Sequence, residues 1–234
     1  PIALFSMLFG GGEFDAYFYT PLVDSIECAE QCQGMSEDEV HEAYMKVRVE
    51  HVKELAAKLE ALLKKVVDDG CLKNEAKRGF LQDEAKRLCE APGGAELLTM
   101  VGYVYYQSAK KYSSSFLGIP AFFARAAERG HLLKATFSAI GSAAKAAAMA
   151  DGEAPDEEAC AKQTLKTIWK TGKLEIEMVV REVCATILEP MQEQKHKEYK
   201  SYVAALKLVG SIFRKVGTNA MRDQNVKDFV APGE

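Results

Sequence analysis

The chain has 234 residues, of which 48% are hydrophobic, so it can bury a large core as one domain or as two smaller ones. Charged residues make up 27% and the net charge is −4, which excludes the strongly basic field typical of nucleic-acid-binding proteins. No segment reaches the ~18 consecutive apolar residues of a membrane-spanning helix, and no secretory signal opens the chain. Because the sequence begins at Pro1 without an initiator Met, we expect it to be a piece of a longer polypeptide.

Three consecutive glycines, Gly10 to Gly12, raise the question of a phosphate-binding loop near the start of the chain. Such a loop needs a Lys and a Ser or Thr at fixed spacing after a β-strand. Here the acidic residues Glu13 and Asp15 follow instead, and they would repel a phosphate. The glycines are therefore interpreted as a break before the first long helix, which we expect to run from about Glu13 towards Cys32.

The next segments have helical periodicity throughout, and no run alternates long enough to predict a β-strand. Ser36 and Glu39 form a capping-box pattern that starts a long helix near residues 36–69, with Gly70 ending it. A helix at 80–90 follows. The helix at 95–112 is apolar all round and predicted to be central, with Gly102 allowing a close crossing by a neighbour.

The second half continues the helical pattern. An Ala-rich helix is expected over 121–150, and the acidic linker 151–159 starts a helix that we expect to end at Pro190. The last helix is predicted to begin near Tyr199 and to be capped at Gly217. The sequence thus predicts an all-α, single, helical-bundle-like domain of about six to seven helices over 1–217, with a frayed tail over 218–234.

Six cysteines carry little chemistry in this pattern. Cys28 and Cys32 share a helix face, but two thiolates fall short of the roughly four ligands that structural zinc requires. No Cys-x-x-Cys redox pair is present. His51 lies on the apolar stripe of the long helix and is interpreted as a hydrogen-bonded core residue. We predict reduced cysteines, an intracellular protein, and neither metal, cofactor nor enzymatic activity.

Four stretches in order resemble the X-domain, the C-terminal region of a subfamily of DnaJ-type J-domain co-chaperones. They are spread over roughly Phe5 to Gly217, and they read FSMLFGGGEFDAYF, ELLTMVGYVYYQSAKKY, FLGIPAFFARAAERGH and TLKTIWKTGKLEIEMVVREVC. Each stretch consists mostly of aromatic and aliphatic residues interrupted by glycines. The resemblance implies a non-catalytic role in client handling, self-association or targeting, beside a heat-shock chaperone.

The resemblance also implies a limit. The J-domain carries a His-Pro-Asp tripeptide, and the four histidines here stand in HEA, HVK, HLL and HKE. We therefore expect that this chain alone does not stimulate the ATPase of a seventy-kilodalton heat-shock chaperone, and that the chaperone is engaged through a J-domain absent from this sequence.

A basic stripe in the last helix is the first candidate surface. Lys200, Lys207 and Arg214 recur every seven residues, opposite an apolar side of the same helix. A basic amphipathic helix can lie on an anionic membrane. We favour the alternative that this is a packed helix showing its solvated face.

A second candidate surface is the segment SSSFLGIPAFF. Phe116, Leu117 and Ile119 stand beside serines in an expected loop, where apolar side chains are costly unless covered. They are candidates for binding a client or a second copy, although loop residues of this kind more often pack back into the core.

The sequence therefore predicts an interaction module, with no nucleic-acid partner. It is expected in the cytoplasm, with peripheral attachment to an organelle membrane as an open option. A membrane-docking module and a structural subunit of a larger assembly are the alternatives.

Overall fold

The computed structural model describes residues 7–21, 34, 36–113 and 157–230, and all regular secondary structure in these ranges is helical. The α-helices are α1 (Glu37–Asp68), α2 (Gly79–Cys89), α3 (Gly94–Ser113), α4 (Glu157–Glu193) and α5 (Tyr199–Val230). A short 3-10 helix, Glu75–Arg78, precedes α2. The predicted all-α fold is confirmed. The Ala-rich helix expected over 121–150 lies outside the described residues.

The long helix α1 begins where its capping box predicted. The Ser36 hydroxyl accepts the backbone N–H of Glu39 at 3.4 Å, and the Glu39 carboxylate accepts the backbone N–H of Ser36 at 2.8 Å. With 32 residues the helix is about 48 Å long. Its later turns pack into the core, whereas Val47 in its first half is 37% exposed. The turn at Gly70 has a φ of 74°, as expected for a left-handed helix end.

The central position of α3 is confirmed, because it packs against α2, α4 and α5. Its core residues are fully buried: Leu97, Leu98, Val101, Val104 and Tyr105. The helix that the sequence predicts to be apolar all round is not buried all round, since Tyr103 is 43% exposed and Lys110 and Lys111 are exposed as well. A strip of α3 therefore remains on the surface.

Glycines set the distance between α3 and α5, which run antiparallel with Ala95 near Gly217 and Tyr106 near Gly210. A Cβ added at Gly102 would lie 2.5 Å from the backbone nitrogen of Arg214, and one added at Gly210 would lie 2.6 Å from that of Tyr106. The close crossing predicted at Gly102 is confirmed.

Gly217 shows the same packing role, and this corrects its sequence interpretation. A Cβ there would collide with the Thr99 hydroxyl. The helix does not end at Gly217 but continues to Val230, so the predicted cap is wrong. Whether residues 218–234 behave as a tail separate from a 1–217 domain stays a prediction.

Helix α4 also runs past its predicted end at Pro190, to Glu193. The proline lies within the last turn, so its missing N–H affects little of the helix that follows. The apolar face predicted for α4 is buried as expected: Ile176, Val179, Val180, Val183 and Ile187.

The segment 7–21 closes one side of the core. Phe9 stacks on Trp169 of α4 with ring centroids 5.2 Å apart, and Tyr17 meets Phe213 of α5 edge-on at 5.5 Å. The three consecutive glycines within this segment, Gly10 to Gly12, all have positive φ, at 94°, 60° and 90°. Residues 13–17 form turns and residues 18–20 have no regular structure, so the helix expected from Glu13 is absent there. Its predicted continuation through 22–33 lies outside the described residues.

Candidate interaction surface

The basic stripe predicted on the last helix lies on the exposed face of α5. Lys200, Lys207 and Arg214 are all exposed. The opposite face is buried in the core, through Tyr202, Leu206, Val209 and Phe213. This arrangement matches the packed helix that we favoured, because the apolar side of α5 is already occupied by the bundle.

Two cations of the stripe converge on one aromatic ring. Lys207 Nζ lies 5.8 Å and the Arg214 guanidinium carbon 5.3 Å from the centroid of Tyr106 on α3. Lys110 Nζ joins them at 6.0 Å. Cations within about 6 Å of a ring face are attracted by its quadrupole. We call Tyr106, Lys110, Lys207 and Arg214 the basic cluster; Lys200 is two turns away along α5 and is not among the cations at this ring.

A groove beside the basic cluster shares Arg214 with it. The groove has a volume of about 740 Å³ and lies between α3, α4 and α5. Its apolar surface comes from Met100, Tyr103 and Leu174. Leu174 is 56% exposed, although most of the apolar side chains described on α4 are buried or partly buried.

The polar residues of the groove differ in whether they are already paired. Glu96 accepts a hydrogen bond from the Trp169 indole at 3.2 Å and is ion-paired with Lys173. Glu177 is ion-paired with Arg181. Lys170 and Arg214 have no carboxylate partner among the described residues. The groove therefore presents positive charge next to apolar surface.

Sequence reasoning missed the groove and half of the basic cluster. Tyr103 and Tyr106 belong to the helix that the sequence predicts to be apolar all round. Lys110 and Lys170 belong to no predicted stripe or motif. Leu174, an apolar residue off the periodic face of α4, was the available signal. The groove itself depends on how three helices are placed, which periodicity does not specify.

Other predicted features are placed as follows. Phe116, Leu117 and Ile119 lie outside the described residues, as do Cys28 and Cys32. Among the side chains that the structure describes, no three from His, Cys, Asp or Glu are grouped so that they could hold a metal ion. No helix in the described part of the chain is long and apolar enough to cross a membrane.

Known proteins are similar to this chain over most of the helices described above. The sequence profile of the X-domain of DnaJ-containing proteins matches residues 48–230, most of the chain. DnaJ-like protein 1 of Saccharomyces cerevisiae is 25% identical over 224 residues, covering 82% of this chain and 51% of that protein. A J domain-containing protein of Schizosaccharomyces pombe is 26% identical over 192 residues, covering 72% and 47% respectively.

The chain thus spans about half the length of these curated relatives. No solved structure matches it. Since the profile covers α3, α4, α5 and most of α1, the match includes the groove and the basic cluster. The chain belongs to the X-domain family of DnaJ-containing proteins.

Proposed function

We propose that this chain is the non-catalytic interaction domain of a J-protein co-chaperone. The observation that carries the proposal is the family match over 48–230, together with relatives that are named for DnaJ or the J domain. In this proposal a seventy-kilodalton heat-shock chaperone is recruited through a J-domain, whose His-Pro-Asp tripeptide this sequence does not contain. The protein works in the cytoplasm.

The domain's own contribution is contact with an unfolded client or with a second copy. Support comes from an exposed groove that combines apolar side chains with two cations, Lys170 and Arg214, that have no carboxylate partner in the described part of the chain. Exposed apolar surface rimmed by polar residues is typical of protein-binding sites. Phe116, Leu117 and Ile119, in a segment that the sequence predicts to be a loop, remain a second proposed contact.

Binding to an unfolded protein tests the client role. Reduced and carboxymethylated lactalbumin stays unfolded, and its fluorescence anisotropy should rise on titration with this chain. The native, disulfide-bonded form is the matched control and should not bind. Failure to bind the unfolded form, with the chain folded by circular dichroism, would contradict the client role.

The ATPase activity of a seventy-kilodalton heat-shock chaperone tests whether the chaperone is stimulated by the J-domain and not by this chain. We expect this chain alone to leave the turnover rate unchanged, whereas an isolated J-domain added to the same assay should raise it. Stimulation by this chain alone would show that it acts on the chaperone directly.

A second candidate function is docking to an anionic membrane surface, on the observation that Lys200, Lys207 and Arg214 are all exposed on one face of α5. Each cation near anionic lipid contributes about 1 kcal/mol, and salt screens the attraction. Because the apolar face of α5 is buried, docking would be electrostatic and without insertion.

Liposome flotation tests this second candidate. Anionic vesicles at low salt should carry the chain upwards, and reversing all three charges to Glu should abolish flotation. Reversing the exposed Lys53, Lys64 and Lys86 changes the net charge equally and should have little effect. Equal flotation with purely zwitterionic vesicles would rule out the lipid role of the stripe.

A further inference from the structure

We infer that the groove between α3, α4 and α5 binds an acidic peptide segment that carries a large apolar side chain. The inference rests on the proposed client role and names the chemistry of the segment. It comes from three properties of the groove. The first is its size and apolar surface, the second is that Lys170 and Arg214 lack a carboxylate partner among the described residues, and the third is the contact that positions Arg214 on Tyr106.

The size and the surface suit a few side chains of a peptide. A volume of about 740 Å³ falls in the range of pockets that hold drug-sized ligands, roughly 300–1,000 Å³. Met100, Tyr103 and Leu174 supply the contact for an apolar side chain. Methionine adapts its shape to different partners, which suits a site that meets more than one sequence.

Charge selects the acidic partner. The two carboxylates of the groove, Glu96 and Glu177, are already paired with Lys173 and Arg181. Lys170 and Arg214 are exposed and lack a carboxylate among the described residues. Lys207 and Lys110 add positive charge next to Arg214, at the Tyr106 ring. An acidic segment complements these cations, whereas a basic segment is repelled.

Arg214 is held in place before any partner arrives. Its guanidinium carbon lies 5.3 Å from the centroid of Tyr106, so the ring restricts the side chain. A positioned guanidinium loses less entropy on pairing and can hold a carboxylate through two parallel hydrogen bonds. Arg214 is therefore the residue that we expect to matter most.

Three fluorescein-labelled peptides test the inference with the full chain. The acidic probe is Asp-Glu-Leu-Phe-Glu-Asp, and its two controls are Lys-Lys-Leu-Phe-Lys-Lys and Asp-Glu-Ser-Ser-Glu-Asp. We expect the acidic probe to bind tightest by anisotropy, and to weaken as salt rises from about 0.05 M to about 0.5 M.

Variants then place the probe in the groove. Lys170→Glu with Arg214→Glu should weaken binding of the acidic probe roughly tenfold, and Leu174→Ser should weaken it severalfold. Lys166→Glu with Lys215→Glu is the matched control, because it makes the same two charge reversals at exposed residues that do not line the groove. These residues are exposed, so circular dichroism should show each variant folded.

The outcomes separate the inference from the proposed function. If unfolded lactalbumin binds but the double reversal leaves both ligands unaffected, the inference is wrong and the client role stands. If lactalbumin does not bind while the acidic probe does, the client role fails and the groove site stands. If light scattering shows a dimer that the double reversal dissociates, and the acidic probe does not bind, the groove is covered by a second copy and the inference is overturned.

Discussion

One oxygen of the Glu175 carboxylate is buried and has no hydrogen-bond partner among the described residues. Burial raises the pKa of Glu175 to about 7, although the charge of Arg48 on α1 opposes the shift. In the sequence no motif surrounds this glutamate. Its environment is created by the packing of α4 against α1, so no local pattern could have predicted it.

The raised pKa makes the stability depend on pH in a definite direction. The folded state holds this proton more tightly than the unfolded chain, whose carboxyl has a pKa near 4.5. The contribution of Glu175 to the free energy of unfolding should therefore be fully present below about pH 4.5. It should be lost as the pH rises towards 7, which lowers the free energy of unfolding by up to about 3 kcal/mol. Glu175→Gln should remove most of this slope in urea denaturation between pH 5 and 8.

Glu84 on α2 provides a control of opposite sign. Hydrogen bonds from Arg87 hold its pKa below the usual value, and Tyr17 adds a further hydrogen bond at 2.9 Å. Its contribution to stability is present above the ordinary carboxyl pKa and is lost as the pH falls below it. Glu84→Gln should therefore lower the stability by a similar amount throughout pH 5 to 8 and change the slope only at more acidic pH. An unchanged slope from pH 5 to 8 in Glu175→Gln would refute the assignment.

At the scale of the elements, the contact between α3 and α5 depends on glycines that leave no room for a side chain. Gly102 and Gly210 face each other across the two helices, where an added Cβ would meet backbone atoms. Backbone cannot move aside as a flexible side chain can, so the two helices would have to separate. Close packing here positions Arg214 over Tyr106 and so shapes the basic cluster.

Gly102→Ala should lower the free energy of unfolding by about 1–3 kcal/mol, despite the better helix propensity of alanine. Gly79→Ala is the matched control, because that helical glycine has open space around the Cβ position. It should leave the stability unchanged or raise it by up to about 1 kcal/mol. Equal effects of the two substitutions in chemical denaturation would contradict the account of the α3–α5 contact.

Helix ends that depend on neighbouring residues in the sequence were predicted well. Features that depend on contacts between distant parts of the chain were predicted poorly. The start of α1 follows from Ser36 and Glu39, three residues apart, and its end from Gly70. Gly217 has the same appearance in the sequence as Gly70, yet it lies inside α5 because its role is to let Thr99 approach. The turns at 13–17 were missed for a similar reason, since Phe14, Tyr17 and Phe18 are buried in the core.

At the scale of the molecule, one core joins the segment 7–21 with all five α-helices. Every described α-helix contributes buried apolar side chains to this core, so a binding function has to use the surface outside it. On the described surface that remainder includes the groove with Met100, Tyr103 and Leu174, and the cations beside it. The family resemblance could be read from four sequence stretches, but the position of this surface required the arrangement of three helices.

Hydroxyl-radical footprinting of the chain with reduced and carboxymethylated lactalbumin tests this account most directly, because it reports the solvent exposure of individual side chains. The account predicts that Met100, Tyr103 and Leu174 react less in the complex, while Met45 on α1, which is 36% exposed, reacts as before. Unchanged labelling of all three groove residues while lactalbumin is bound would contradict it.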